Sequence, residues 1–207
     1  MLTMMPMAAC DGSNADPILP EQPGQPGNSD GGDEDDSTDP TNPIPGGNGR
    51  YLVLYCSRTG STERMAQQIQ QTLDCDILEV EPQTPYESDY NGMLNRAQEE
   101  LAAIRQGNYP AIKTSVEDFG NYDIVFVGYP IWYGSMGTPM QTFLHNHASK
   151  LAGKRIALFA SSGSSGISAS VDEARTLCSG ATFTETLLLT SSTLSQMGNR
   201  IRTWLET

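Results

Sequence analysis

Short continuous apolar runs recur along the chain from residue 51 to near its end. They cover residues 51–55, 77–80, 124–127, 156–160 and 187–189. Short runs with little polar alternation are typical of strands that are covered on both faces of a sheet. The second run is interrupted by Glu79, which favours an edge position for that strand. The pattern therefore predicts five strands, with the second at an edge.

The segments between these runs carry apolar residues at intervals of three or four positions. The clearest case places Met140, Phe143, Leu144 and Leu151 on one face of a helix. The same periodicity recurs in residues 65–73, 93–104, 171–178 and 194–205. Alternating strands and helices predict an α/β fold, in which a doubly wound sheet lies between two layers of helices.

The composition changes sharply at residue 50. The chain has 207 residues and a formal net charge of -13, from 12 Lys+Arg against 25 Asp+Glu. Residues 1–49 hold nine of the acids, eight of the 13 prolines and no Lys or Arg, so residues 50–207 keep 16 acids and 12 bases, a net charge of -4. We expect residues 11–49 to be a disordered acidic Pro/Gly linker, because they have too few large apolar side chains to form a core. Residues 50–207 have the size of one domain.

This balance excludes several classes of protein. A chain without a basic face is not expected to bind nucleic acid. No run of 18 apolar residues is present to span a membrane as a helix. Four scattered cysteines and two histidines argue against a disulfide framework or a metal site. Whether Cys75 and Cys178 pair with each other stays open from the sequence.

Residues 7–10, Met-Ala-Ala-Cys, resemble the lipobox of bacterial lipoproteins, in which a cysteine after small residues becomes lipidated. We therefore expect residues 1–10 to be a signal remnant and Cys10 to carry a lipid. The linker would then tether the domain to the membrane surface of the cell envelope. The apolar stretch before Cys10 is short and has no preceding Lys or Arg, so the alternative is an incidental cysteine in a cytoplasmic protein.

The loop after the first strand predicts an anion site. Residues 57–62, Ser-Arg-Thr-Gly-Ser-Thr, combine four hydroxyls with a glycine at the start of a helix. Backbone N–H groups at a helix start bind phosphate, and the hydroxyls add donors. The alternative is a plain helix cap formed by Ser61 or Thr62, but a cap needs one hydroxyl and not four.

Two further loops follow the third and fourth strands, at the sheet edge where ligands bind in such folds. Residues 128–139 contain Trp132 and Tyr133 between glycines and prolines, which predicts a flat wall for a planar ligand. Residues 161–167 are mostly Ser and Gly, so their backbone amides would approach a ligand closely.

Together the three loops resemble those of flavodoxin-like FMN-binding proteins. Residues 57–62 match the family's [ST]-x-T-G-x-T phosphate loop, and residues 128–134, Gly-Tyr-Pro-Ile-Trp-Tyr-Gly, are similar to a loop that faces the flavin ring in one branch. Residues 161–166 are similar to that branch's Ser-Gly-Gly-Ser-Gly segment, with Ser164 replacing a glycine. The resemblance covers about residues 50–205. It implies a three-layer flavodoxin-like sandwich with a five-stranded parallel sheet of order 2-1-3-4-5.

The resemblance also implies non-covalent FMN as the cofactor. The cofactor-binding residues it implies are Ser57, Arg58, Thr59, Gly60, Ser61, Thr62, Pro130, Ile131, Trp132, Tyr133, Gly134, Ser162, Gly163 and Gly166. Trp132 or Tyr133 would stack on the flavin, whereas Arg58 would either add charge near the phosphate or lie solvated at the surface. No catalytic side chain is implied, because the flavin itself carries the electrons.

Two classes of function follow from these features. The first is an FMN redox protein, which exchanges electrons with a partner protein or reduces a small acceptor such as a quinone. The modest charge of the domain favours a surface-tethered reductase over a soluble acidic carrier. The second class is a non-enzymatic flavodoxin-fold binding module on the cell envelope, against which the complete set of four hydroxyls in residues 57–62 argues.

Overall fold

The computed structural model describes residues 50–207. The expected signal remnant at residues 1–10, the expected linker at residues 11–49 and the expected lipidation site Cys10 lie outside the described residues. Strands and helices alternate through the described part of the chain, as the hydrophobic pattern predicts. Within that part, no helix is long and apolar enough to cross a membrane.

The strands of residues 50–207 form one sheet. They are β1 (Tyr51–Tyr55), β2 (Asp76–Glu79), β3 (Ile124–Trp132), β4 (Ser135–Met136), β5 (Arg155–Ser162), β6 (Thr182–Phe183) and β7 (Leu187–Thr190). Their order is β2-β1-β3-β5, and both β6 and β7 pair with β5. These pairings are parallel, whereas β4 folds back antiparallel on β3. The predicted α/β fold, strand order and edge position of β2 are confirmed.

The fifth position of the sheet is filled by two short strands instead of one. β6 pairs with the start of β5 and β7 pairs with its end. Residues 184–186, Thr-Glu-Thr, separate the two strands. The indole N–H of Trp204 donates to the Glu185 carbonyl at 3.0 Å, so the C-terminal part of the chain holds this interruption.

Five α-helices cover the sheet within residues 50–207. They are α1 (Ser61–Leu73), α2 (Tyr90–Ile104), α3 (Thr138–His147), α4 (Ser168–Leu177) and α5 (Met197–Leu205). The core under α1 and α5 contains Val53 of β1, and the core under α3 and α4 contains its neighbours Leu52 and Leu54, because successive strand residues point to opposite faces. Cys75 and Cys178 are buried free thiols in these two separate cores, so they do not pair.

Gly128 in the middle of β3 serves the packing of the sheet. A Cβ atom at this position would lie 2.1 Å from the Phe159 ring on β5. A larger residue would therefore displace that ring. Pairing with β5 continues to Pro130 opposite Ser161, and β3 then extends to Trp132 at the carboxyl edge of the sheet.

Candidate functional site

The carboxyl ends of β1, β3 and β5 border a cavity of about 390 Å³. It is lined by Ser57, Arg58, Thr59, Ser61, Thr62, Tyr90, Met93, Leu94, Pro130, Ile131, Trp132, Tyr133, Ser161, Ser162, Gly163, Ser191 and Leu194. Eleven of the fourteen residues expected to bind the cofactor are among them. Gly60, Gly134 and Gly166 are not. The topology thus brings the three sequence-distant loops to one cavity, as their positions after parallel strands predict.

Residues 57–62, the hydroxyl loop, lead directly from β1 into α1. Gly60 is the residue before the helix and has a left-handed backbone with φ of 79°, which glycine adopts without strain. No side chain caps this helix start, so the alternative of a cap by Ser61 or Thr62 is not what forms. The first N–H groups of α1 have no partner within the helix and remain available to an anion.

Thr62 connects the hydroxyl loop to the loop after β5. Its hydroxyl lies 2.8 Å from the Ser161 hydroxyl, and only 1% of the residue is exposed. The two loops are therefore held at a fixed separation on either side of the end of β3. Ser162 makes a further bond to the Ser165 carbonyl at 2.7 Å, which closes the second loop on itself.

Arg58 is not a freely solvated arginine. Its Nη2 group lies 3.2, 3.0 and 3.2 Å from the carbonyl oxygens of Glu87, Ser88 and Asp89. Its Nε atom is buried and has no hydrogen-bond partner. A buried donor without an acceptor carries a free-energy cost unless a ligand supplies one. A positive charge with such a donor, beside four hydroxyls, fits an anionic group such as the phosphate of FMN.

The same cavity also has an aromatic wall, which we define as Trp132, Tyr133, Tyr90, Met93 and Leu94. The first two come from the end of β3 and the turn after it, and the other three from the first turns of α2. Tyr90 and Tyr133 are 64% and 51% exposed, although both are large rings. Their hydroxyls do not require burial, so these rings offer apolar faces to a planar ligand at the cavity mouth.

A tight turn sets the position of Tyr133. Tyr133 and Gly134 both have positive φ angles, of 52° and 81°, between the paired residues Trp132 and Ser135. Two left-handed residues in succession are typical of a two-residue hairpin turn, but a tyrosine there is strained. Gly134 shapes this turn without lining the cavity.

Side chains fix the far strand of the same hairpin. The Met136 N–H donates to Glu173 at 2.8 Å, and the Gln141 amide donates to the Met136 carbonyl at 2.7 Å. Both backbone groups of Met136 are thus satisfied by side chains from α4 and α3. The hairpin that carries Trp132 and Tyr133 is consequently anchored on two helices.

Six residues that line the cavity were not among the expected cofactor-binding residues: Tyr90, Met93, Leu94, Ser161, Ser191 and Leu194. Three of them lie at the start of α2, where the sequence shows only a helix start, Asp89 before Tyr90. The Asp89 carboxylate accepts from the Gly92 N–H at 2.7 Å and caps the helix. From the sequence, Tyr86, Tyr90 and Tyr109 in this connection indicate either a pocket above the ligand or a plain lead-in to a crossover helix, and the lead-in is favoured; the structure places Tyr90 on the cavity.

Two titratable groups near the site are perturbed by burial. Cys56 is only 4% exposed and burial raises the pKa of its thiol well above the usual range, which argues against a nucleophilic role. Burial raises the pKa of Glu79, and the nearby carboxylates of Glu81 and Glu63 raise it further. In residues 50–207 no group of three or more His, Cys, Asp or Glu is arranged to hold a metal ion.

A doubly wound sheet whose cavity combines an uncapped, hydroxyl-rich helix start with an aromatic wall is typical of an α/β protein that binds a planar ligand carrying a phosphate. The family model for flavodoxin matches residues 50–207. The chain therefore belongs to the flavodoxin family.

Solved structures agree with this assignment. A candidate flavoprotein of Bacteroides eggerthii is 33% identical and aligns over 76% of this chain and 96% of its own, with a TM-score of 0.64. A candidate flavoprotein of Bacteroides uniformis is 27% identical over 79% and 100%, with a TM-score of 0.63. A Lactobacillus acidophilus flavoprotein in complex with FMN is 25% identical over 72% and 97%, with a TM-score of 0.58. No curated protein matches the chain.

Proposed function

We propose that this protein is an FMN-dependent redox protein. The observation that carries the proposal is that the hydroxyl loop and the aromatic wall line the same cavity. Membership of the flavodoxin family supports it, as does the similar Lactobacillus acidophilus flavoprotein, which binds FMN.

The two groups of lining residues suit the phosphate and the flavin ring of FMN. Ser57, Thr59 and Ser61, with the first N–H groups of α1, would hold the phosphate, and Arg58 would supply a positive charge and its free Nε donor. Trp132 would stack on the flavin ring. Tyr133, Ser162 and Gly163 would border the ring's edges. Bound FMN would supply one- and two-electron transfer, and the chain's residues would orient it and shield it from water.

The electron acceptor distinguishes two roles for such a protein. We assign the protein as a reductase of quinones or similar small acceptors, in preference to a carrier between proteins. The domain's net charge of -4 is small, whereas acidic carriers rely on strong charge to dock basic partners. Both cavity-mouth tyrosines are exposed, so a planar acceptor would reach the site without a conformational change.

A steady-state assay on the FMN-loaded full chain separates the two roles. Oxidation of NADH or NADPH that depends on a water-soluble naphthoquinone indicates a reductase. Reversible reduction by dithionite without turnover of either nicotinamide indicates a carrier and overturns the reductase assignment. The matched control is Thr59→Val, which should lower turnover at limiting FMN and recover it when FMN is in excess.

We also propose that lipidated Cys10 tethers the domain to the envelope. The support is the Met-Ala-Ala-Cys sequence followed by an acidic, proline-rich segment. The full chain expressed in a bacterium should partition with membranes and incorporate labelled palmitate, and Cys10→Ala should lose both properties. Equal partitioning of the two proteins would refute the tether and leave the FMN proposal intact.

A further inference from the structure

Tyr86 packs against the tryptophan of the aromatic wall. It lies in the segment between β2 and α2, and its ring meets the Trp132 ring edge-on, with centroids 5.1 Å apart and planes at 78°. Edge-to-face pairs of this kind favour one relative orientation of the two rings. The orientation of Trp132 therefore depends on what holds Tyr86.

The hydroxyl of Tyr86 is held by two other elements. It donates to the Glu100 carboxylate of α2 at 2.5 Å and lies 2.7 Å from the Thr138 hydroxyl at the start of α3. The Thr138 hydroxyl reaches the same carboxylate oxygen of Glu100. Thr138 is fully buried and the Glu100 side chain is 12% exposed, so water competes little for these contacts.

Arg96 adds contacts to both the Tyr86 ring and the Glu100 carboxylate. Its guanidinium lies 4.2 Å from the Tyr86 ring centroid and donates to Glu100 at 2.8 Å. It also donates to the carbonyls of Pro85 and Thr84, at 2.8 and 2.9 Å. Tyr86 is thus fixed at its hydroxyl, over one ring face and through its own backbone neighbours.

A second cavity lies beside Tyr86 and Trp132. It measures about 330 Å³, and both Trp132 and Tyr86 line it, together with Pro82, Pro85 and Pro139. Trp132 also lines the first cavity, as do Ser57, Arg58 and Pro130, so its indole borders both open spaces. Close packing normally confines a buried ring. Where Trp132 borders the second cavity it has no close-packed neighbour, so the edge-to-face contact with Tyr86 limits the rotation of the indole there.

We propose that Tyr86, clamped by Glu100, Thr138 and Arg96, is a positioning residue that fixes the orientation in which Trp132 faces the bound flavin. It does so through Trp132, because Tyr86 does not line the first cavity. The identity of the ligand rests on the proposed function, whereas the orientation of Trp132 is a property of the chain alone.

The test uses the ¹⁵N-labelled full chain, whose two tryptophans, Trp132 and Trp204, give two indole N–H resonances that Trp132→Phe assigns. In the FMN-free protein, Tyr86→Leu should shift or broaden the Trp132 resonance and leave that of Trp204 in place. It should raise the Kd for FMN and for riboflavin by the same factor, about 10-fold, because the loss lies on the ring side.

Tyr86→Phe isolates the hydroxyl. It keeps the ring but loses the contacts with Glu100 and Thr138, so both effects should persist in weaker form, with Kd raised about 3-fold. Tyr109→Phe is the matched control, because Tyr109 stacks on His145 at 3.8 Å and lines neither cavity. It should change nothing.

The outcomes separate this inference from the proposed function. An unmoved Trp132 resonance with unchanged affinities in folded Tyr86→Phe and Tyr86→Leu proteins would overturn the positioning role. If Tyr86→Leu does not fold, the Tyr86→Phe result alone decides. Failure of the unsubstituted protein to bind FMN would refute the proposed function, and the Trp132 resonance of the FMN-free variants would still decide the positioning role.

Discussion

The hydroxyl loop and the aromatic wall reach the same cavity by different routes. The loop is six consecutive residues whose geometry follows from one strand end, one glycine and one helix start. The wall is assembled from the end of β3 and the first turns of α2, and Tyr86 supports it from outside the cavity. The hydroxyl loop therefore follows from one short stretch of sequence, whereas the aromatic wall requires residues that are distant in sequence to come together in the folded chain.

This difference predicts that the two regions respond to different parts of the ligand. FMN and riboflavin share the flavin ring and ribityl chain, and only FMN carries the phosphate. A change in the hydroxyl loop should therefore affect FMN alone, whereas a change in the wall should affect both ligands equally.

Removing the central ring of the wall should have the largest effect. Trp132→Ala should weaken FMN and riboflavin alike by about 30- to 100-fold (~2–3 kcal/mol), because the stacking surface is lost. Fluorescence titration with each ligand measures this. Trp132→Phe, which keeps a flat ring, should lose much less. A loss confined to FMN would show that Trp132 contacts the phosphate side.

Removing one hydroxyl of the loop should have a selective effect, with a range that extends below that of Trp132→Ala. Thr59→Val should weaken FMN by about 1–3 kcal/mol, because a donor to the phosphate is lost. Riboflavin affinity should hardly change. Thr72→Val is the matched control, since Thr72 is an exposed residue of α1 whose hydroxyl bonds to the Gln68 carbonyl at 2.7 Å. Equal losses for both ligands in Thr59→Val would contradict the phosphate assignment.

The strained turn allows the wall to be weakened while the fold is strengthened. Tyr133 has a φ of 52°, which asparagine tolerates better than tyrosine. Tyr133→Asn should raise the free energy of unfolding of the ligand-free protein by about 0.5–1 kcal/mol, as urea denaturation would show. It should also weaken both ligands. Tyr90→Asn, at a residue without a positive φ, should bring no such gain in stability.

A histidine in the core should affect neither region. His147 is buried, its Nδ1–H donates to the Phe143 carbonyl and its Nε2 accepts from the Val116 N–H, so it is held neutral. Burial lowers its pKa below the ordinary 6.5. The unfolded chain therefore takes up a proton at a higher pH than the folded chain, and stability should fall as the pH drops from 6.5 through the lowered pKa.

Urea denaturation at pH 7.5 and 5.5 measures this dependence. His147→Gln should flatten it, whereas His145→Gln, at an exposed residue, should not. Ligand affinities at pH 7.5 should be the same in both variants. A dependence on pH that is identical in His147→Gln and the unsubstituted protein would assign the effect to other groups.

The sequence predicts most of the fold and the local half of the site. Continuous apolar runs identified the strands, and the resemblance of three loops supplied the strand order and the hydroxyl loop. The split of the fifth strand escaped prediction, because residues 184–186 interrupt pairing through a contact with Trp204 that is remote in sequence. Tyr90 stands outside the expected cofactor-binding set because a tyrosine in this connection is typical of a plain lead-in to a crossover helix as well as of a pocket above the flavin, and the sequence favours the lead-in.

The proposed positioning of Trp132 by Tyr86 is likewise not predictable from the local sequence. A tyrosine before a crossover helix has no local pattern that reveals its partners. Its bonds to Glu100 and Thr138 span 14 and 52 residues, so they become visible only in the folded chain. The distal contacts that shape the wall are therefore the part of the site least accessible from the sequence.

One cavity joins the hydroxyl loop and the aromatic wall and should therefore hold one FMN per chain. Titration of FMN with the purified full chain, followed by flavin fluorescence, tests it most directly, with riboflavin titrated in parallel. We predict quenching that saturates at one FMN per chain in the micromolar range or below, and weaker binding of riboflavin. No quenching at micromolar FMN, or equal affinity for the two ligands, would contradict the account.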